Sequence, residues 1–246
     1  TFKASALVTE ESMKAIEDLV PLGPLHQPPN IAGIKACQAV MPGKPNVAVF
    51  DTAFHQSMPK EAYMYAVPYE MYEKHAIRRY GAHGTSHRYV EGEMIKLLGG
   101  KAEGTKIVTC HLGNGSSIAA VDGGKCLDTT MGMTPLEGLM MGTRSGNIDP
   151  AIITFLMEKE NMSIADIDKM LNKESGILGI SEKTSDNRDI EQGSREGDER
   201  CKLVENMLCH QLTKYVGSYI AAMGGCDAVV FTGGIGENNS RLRRRV

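Results

Sequence analysis

His111-Leu112-Gly113-Asn114-Gly115-Ser116-Ser117 follows the apolar, β-prone run Lys106 to Cys110, and Thr232-Gly233-Gly234-Ile235-Gly236 follows a second such run, Asp227 to Phe231. In both places a short strand-like stretch empties into a glycine-dense turn, which lets backbone N–H groups converge on a phosphate or nucleotide without side-chain obstruction. A third stretch, Asn46 to Phe50, opens into Asp51, at the carboxyl end where ligands of open α/β sheets collect. Three strands that each open into a polar or glycine-rich loop imply an α/β protein that handles nucleotides.

Composition narrows the class further. A chain of 246 residues fits one large or two modest domains. Its 41% hydrophobic and 23% charged residues are globular values, and its apolar runs fall short of the roughly 20 residues of a membrane helix, so a soluble protein with no membrane contact is expected. A net charge of −3 gives no general attraction for nucleic acid. The one basic cluster, Arg241, Arg243, Arg244 and Arg245, reads as a solvated helix face. Six cysteines show neither C-x-x-C spacing nor the density of a disulfide scaffold, and no secretory signal is evident, so a reducing cytoplasm is expected. The start at Thr1 without a methionine points to a fragment.

Along the chain, residues 11–20 and 28–40 read as helices separated by Pro21-Leu22-Gly23-Pro24. Residues 69–80 read as a helix ending at Gly81. His83-Gly84-Thr85-Ser86-His87 reads as the turn before another helix, which runs through Leu98 to Gly99-Gly100. Asp122-Gly123-Gly124 between Ser117–Val121 and Lys125–Thr129 predicts a hairpin. Asp149-Pro150 and the pair Ser163 and Asp166 each signal a helix start. Val204, Leu208, Leu212, Tyr215 and Tyr219 recur at helical spacing, which predicts one amphipathic helix from Glu199 to Met223. His83 and His87 stand four residues apart, but a metal site needs more ligands than this pair offers. His26 is read as structural.

Six strings in series, VFDTAFHQSMP, RRYGAHGTSHRYV, CHLGNGSS, DTTMGMTPLEGLMMGTRSGNIDPAI, SDNRD and FTGGIGEN, occur in the order found in acetate kinases, and the chain resembles that family over nearly its whole length. The resemblance implies an actin-like ATPase (ribonuclease H-like) α/β fold, with two related domains of mixed sheets and the nucleotide between them. Residues 1–53 would be a remnant of the first domain and 54–246 most of the second. The family's N-terminal phosphate loop, an arginine segment and a C-terminal magnesium-binding glutamate have no counterpart here.

The same resemblance implies phosphoryl transfer between ATP and acetate, giving acetyl phosphate and ADP, with magnesium or manganese. Asp51, His83 and Arg144 would be catalytic: Arg144 and His83 on the transferring phosphoryl group, Asp51 on magnesium through water or on an attacking-side water. Acetate is already ionised above a pKa near ~4, so no general base is required. His111, Leu112, Gly113, Asn114, Gly115 and Ser116 would hold phosphates. Asp186, Asn187 and Arg188, with Gly233, Gly234, Ile235, Gly236 and Glu237, would meet the nucleotide. Ala82 and Pro135 would line the acyl pocket, and Ala82 replaces the bulkier aromatic of many members. A homodimer through the second domain is implied. The readings left open are a propionate or butyrate kinase and a nucleotide-binding chain without catalysis.

Overall fold

The computed structural model describes residues 2–20 and 27–246; the Pro21–Pro24 break and His26 lie outside the described residues. Two short strands, β1 (Ala6–Leu7) and β2 (Val47–Ala48), pair antiparallel and are accompanied by α1 (Glu10–Glu17) and α2 (Gln27–Val40). Thr9 and Ser12 form a reciprocal capping box at the start of α1. The expected strand 46–50 shrinks to two residues, and Asp51 follows in a turn that leads into a 3-10 segment, Ala53–Ser57.

Two short helices, α3 (Lys60–Tyr63) and α4 (Tyr69–His75), precede α5 (Gly84–Leu97). The main sheet comprises β3 (Lys106–Leu112), β4 (Ser116–Asp122), β5 (Lys125–Thr129) and β6 (Ala228–Thr232), in the order β5-β4-β3-β6. β3 to β5 form an antiparallel meander and β6 joins β3 in parallel, so the sheet is mixed as expected. Between β5 and β6 run α6 (Ala151–Lys159), α7 (Ile164–Lys169), a π-helical turn (Met170–Glu174), α8 (Gly176–Ser181), α9 (Asn187–Glu196) and α10 (Glu199–Met223). Two six-residue helices, α11 (Gly233–Asn238) and α12 (Ser240–Arg245), follow β6.

The pleat sends alternate residues to opposite faces of this sheet. Val108, Cys110 and Leu112 of β3 and Ile118 and Ala120 of β4 pack with Val204, Leu208, Leu212 and Tyr219 of α10. Ile107 of β3, with Ala119 and Val121 of β4, packs instead with Met58 and Ile95. The odd-numbered positions nearest the carboxyl end of β3 are polar: Thr109 and His111, with Ser117 opposite on β4. One face of the sheet therefore passes from apolar core to hydrogen-bonding chemistry within two residues.

Several boundaries differ from the sequence reading for local reasons. β3 runs two residues further, so that His111 pairs with Ser117 and with Thr232 and the glycine turn contracts to Gly113–Gly115. Thr232-Gly233-Gly234-Ile235-Gly236 is not a loop: Gly233 onward forms α11, with Thr232 as extended N-cap. α4 stops at His75 because Ala76 adopts φ 53°, a left-handed cap that alanine does not advertise. The extended chain beyond it is pinned by Arg79, whose Nη1 donates to the carbonyls of Thr129 (2.9 Å), Thr130 (3.0 Å) and Met131 (3.2 Å).

The long connection 130–150 lacks regular structure yet is closely held. Gly142 N–H reaches Asn114 O (3.1 Å), Ser145 N–H reaches Leu171 O (2.9 Å), and Met140 N–H reaches Gln211 Oε1 (2.8 Å). Gly146 sits at φ 68° with the backbone of Gly138 and Leu139 where a Cβ would stand. Gly146→Ala is expected to lower unfolding free energy by more than about 1 kcal/mol, because it adds a strained conformation to a clash. A urea titration with an unchanged midpoint would show the loop to be slack.

Candidate active site

Asp51, His83, His111, Asn114 and Arg144 converge where β3 ends. α5 begins there, and the link is direct: Gly84 N–H donates to Asp51 O (2.9 Å), while Asp51 Oδ2 accepts from His83 N–H (2.5 Å) and Oδ1 from Thr85 N–H (3.4 Å). Asp51 thus caps a helix 33 residues downstream rather than its own turn. His83, the N-cap residue, lies at φ 58°. A left-handed non-glycine costs on the order of 1–3 kcal/mol, and a hydrogen bond to a charged acceptor returns about as much. A Cβ on Gly84 would strike the Asp51 carbonyl, so glycine is required at this approach.

The His83 ring lies stacked on His111, with centroids 4.1 Å apart and planes 26° from parallel. Its Nδ1 bonds Ser117 Oγ (2.8 Å), while Ser117 Oγ also meets His87 Nε2 (2.7 Å), and His87 Nδ1 meets Thr109 Oγ1 (2.7 Å). His111 Nδ1 bonds Ser86 Oγ (2.8 Å). His55 Nε2 bonds Ala82 O (2.9 Å) and its Nδ1 meets Cys126 Sγ (3.1 Å). Sequence reading did not anticipate the roles of Ser117, Thr109, Ser86 or His87. Its one signal was the four-residue spacing of His83 and His87, which places them one turn apart near the start of α5.

Gly115 marks the centre of the site. A Cβ on it would lie 2.6 Å from Arg144 Nη2 and 3.3 Å from His83 Nε2, so a guanidinium and an imidazole nitrogen face a backbone that carries no side chain. Arg144 is oriented by Nη1, which donates to Pro135 O (2.7 Å). Ala82 and Pro135, the positions expected to line an acyl pocket, are each tied through a carbonyl to this cluster. Gly142 leaves room in the same way for the Asn114 carboxamide.

Burial dominates the electrostatics. It pushes the His83 pKa down to about 4, with His111 and Arg144 adding to the effect and Asp51 opposing it. His87, fully buried, lies well below the ordinary imidazole value, and burial also lowers His55 and His111. At neutral pH these rings are uncharged hydrogen-bonding groups, and Arg144 is the cation facing Gly115. Unfolded histidine binds a proton near pH 6.5, whereas these folded sites bind one only at lower pH. The unfolded state therefore takes up more protons as pH falls, and stability drops. The urea midpoint is expected to fall steadily from pH 6.5 towards about pH 4; a flat profile between pH 6.5 and 5 would contradict neutral, buried rings.

The remaining candidates stand apart from this cluster. Asp186 caps α9 and pairs with Arg188 (Oδ2 to Nη2, 2.6 Å), which holds its carboxyl down at about 2. Among the described residues, no hydrogen bond or ion pair joins them to His83 or Arg144. Asn187 is buried. The side chain of Leu112 belongs to the core against α10, so a ligand contact at this position would fall to its backbone. Gly233 to Glu237 form α11 beside the end of β3, where the charge of Glu237 is felt by His111. Among the described residues, no group of three or more histidine, cysteine, aspartate or glutamate side chains could hold a metal ion. Asp51, with both oxygens on backbone donors, does not by itself build a magnesium site.

Known proteins resemble this chain over its whole length. The model of the Acetokinase family matches residues 1–246. The acetate kinase of Acetivibrio thermocellus is 59% identical over 245 residues, covering 100% of this chain and 61% of that protein. Among solved structures, Porphyromonas gingivalis acetate kinase superposes with a TM-score of 0.95 at 51% identity, covering 100% of this chain and 61% of its own. A propionate kinase from Francisella tularensis superposes at 0.96 with 47% identity, over 99% of this chain and 63% of its own. The chain thus spans about 61% of the length of the curated relatives it matches. No helix among the described residues is long and apolar enough to cross a membrane.

Proposed function

The chain belongs to the acetokinase family, and from that premise we propose that it carries the phosphoryl-transfer centre of an ATP-dependent acetate kinase. The observation that supports this most directly is the convergence of His83 Nε2 and Arg144 Nη2 over the bare Cα of Gly115. Phosphoryl transfer spreads charge over three equatorial oxygens, so catalysis is mostly positioning and charge stabilisation. A carboxylate oxygen of acetate attacks the terminal phosphorus as the bond to the ADP oxygen breaks. No proton has to leave the nucleophile, and no covalent enzyme intermediate is needed. Arg144 neutralises the equatorial oxygens through its planar fork, and His83 offers Nε2 to the same group. Asp51 holds the start of α5 so that His83 faces the reaction.

In the same proposal, Asn114 and the Gly113–Gly115 backbone hold phosphates. Asp186, Arg188 and the α11 segment lie along the nucleotide. Magnesium or manganese would arrive with ATP or ADP and offset the charge of the phosphates. Residues 1–53 belong to one domain and 54–246 to a second, nucleotide-binding domain that also forms a homodimer. A cytoplasmic location belongs to this reading too.

Acetyl phosphate formed from ATP and acetate and trapped with hydroxylamine tests the reading on the full-length protein. Arg144→Ala is expected to lower kcat by about 100-fold or more while ADP affinity changes little. Undiminished turnover would remove Arg144 from the centre.

The small Ala82 favours a second reading for the acyl pocket, as does the superposition on a propionate kinase. One methylene is worth only ~1–3 kcal/mol, so both acids are expected to react. Ala82→Phe should move the ratio of kcat/KM for propionate over acetate towards acetate by roughly tenfold. An unchanged ratio would place the methyl-binding surface elsewhere.

A further inference from the structure

The hydrogen bonds behind His83 form a single line into the core: His83 Nδ1 to Ser117 Oγ, Ser117 Oγ to His87 Nε2, and His87 Nδ1 to Thr109 Oγ1. Each heavy-atom distance, 2.8, 2.7 and 2.7 Å, is that of a made bond. Ser117, His87 and Thr109 are all at 0% exposure, so water does not complete the line. A neutral imidazole carries one proton, a hydroxyl carries one, and the line can therefore run in only two directions.

Its inner end decides between them. Among the described residues Thr109 Oγ1 has no side-chain hydrogen bond other than to His87 Nδ1. If His87 held its proton on Nδ1, the Thr109 hydroxyl would become an acceptor and its own hydrogen would be left buried without a partner, a cost of roughly 1–3 kcal/mol. With the proton on Nε2 instead, Thr109 donates to Nδ1 and nothing is orphaned. His87 Nε2–H then donates to Ser117 Oγ. Ser117 has one hydrogen left to give, and it goes to His83 Nδ1.

We propose that Thr109, His87 and Ser117 are positioning residues that fix the tautomer of His83, placing its proton on Nε2, the nitrogen that looks onto Gly115. The consequence rests on the phosphoryl-transfer reading above: His83 meets the transferring group as a permanent donor and never presents a lone pair to its negative oxygens. Burial, which keeps the ring uncharged, makes the choice of nitrogen matter. The stacking on His111 holds the ring plane, and the Ser117 bond holds its rotation. His55, nearby, is set independently: its Nε2 faces the Ala82 carbonyl, which can only accept.

The test is a two-bond nitrogen–proton correlation spectrum of the full-length protein with 15N-labelled histidine, near neutral pH and without substrate. Protonated and bare ring nitrogens separate in that spectrum. His83 and His87 are both expected as Nε2–H tautomers. In Ser117→Ala, His83 should become a mixture of tautomers, and kcat should fall roughly tenfold with KM for ATP nearly unchanged. Thr109→Val, close in shape, should release the tautomer of His87. A wild-type His83 protonated on Nδ1 overturns the proposal, whether or not the variants fold. So does a Ser117→Ala protein whose His83 signal stays in the Nε2–H form. An inactive wild-type protein with His83 in the expected form would sink the kinase reading and leave the proton assignment standing.

Discussion

β3 is hydrogen-bonded along both edges, antiparallel to β4 from Lys106 to Leu112 and parallel to β6 from Ile107 to His111. A strand paired on both sides and covered on both faces cannot slip, because a shift of one residue would turn Val108, Cys110 and Leu112 out of the core. That register is the reference for the whole site. It puts His111 opposite Ser117, brings Thr109 under α5, and delivers the turn Gly113–Gly115 to the edge where Arg144 and His83 approach. α10 supports the arrangement from the other face, through side chains buried in the core.

Against this fixed frame, the site is assembled by hydrogen bonds between distant segments. Asp51 reaches the start of α5, Arg144 leans on Pro135, and Asn114 accepts from Gly142. Asp51 and Asn114 reach segments tens of residues away and Arg144 one nine residues away, and the missing Cβ atoms of Gly84, Gly142 and Gly115 leave room beside these three residues. The left-handed His83 is the one strained residue at the centre, and its strain is offset by the carboxylate that holds its N–H.

Much of the frame was legible in the sequence. The helix Glu199–Met223 has an apolar stripe and an Asp198 cap, the hairpin at Asp122-Gly123-Gly124 has turn chemistry, and Ser163 with Asp166 forms the expected box. Local rules suffice there because the determining interactions are local. They fail at Ala76, whose left-handed cap answers to the tertiary hold on Arg79, and at Gly233, where a glycine run starts a helix instead of a turn. The site was legible as residue types in strings that resemble a family. The partner of Asp51 and the line from His83 to Thr109 were not, since they depend on which groups the fold brings within hydrogen-bond distance; the pairing of Asp186 with Arg188, two residues apart, is local and went unread.

The account stands on one position in space, the point beside Gly115 where His83 Nε2 and Arg144 Nη2 converge. The most direct measurement is a crystal structure of the full-length protein with ADP, acetate and a planar metal fluoride that mimics the transferring phosphoryl group. The account predicts the fluoride mimic over Gly115, within hydrogen-bond distance of His83 Nε2 and the Arg144 guanidinium, with acetate on the side of Ala82 and Pro135. A mimic bound elsewhere, touching neither side chain, would contradict it.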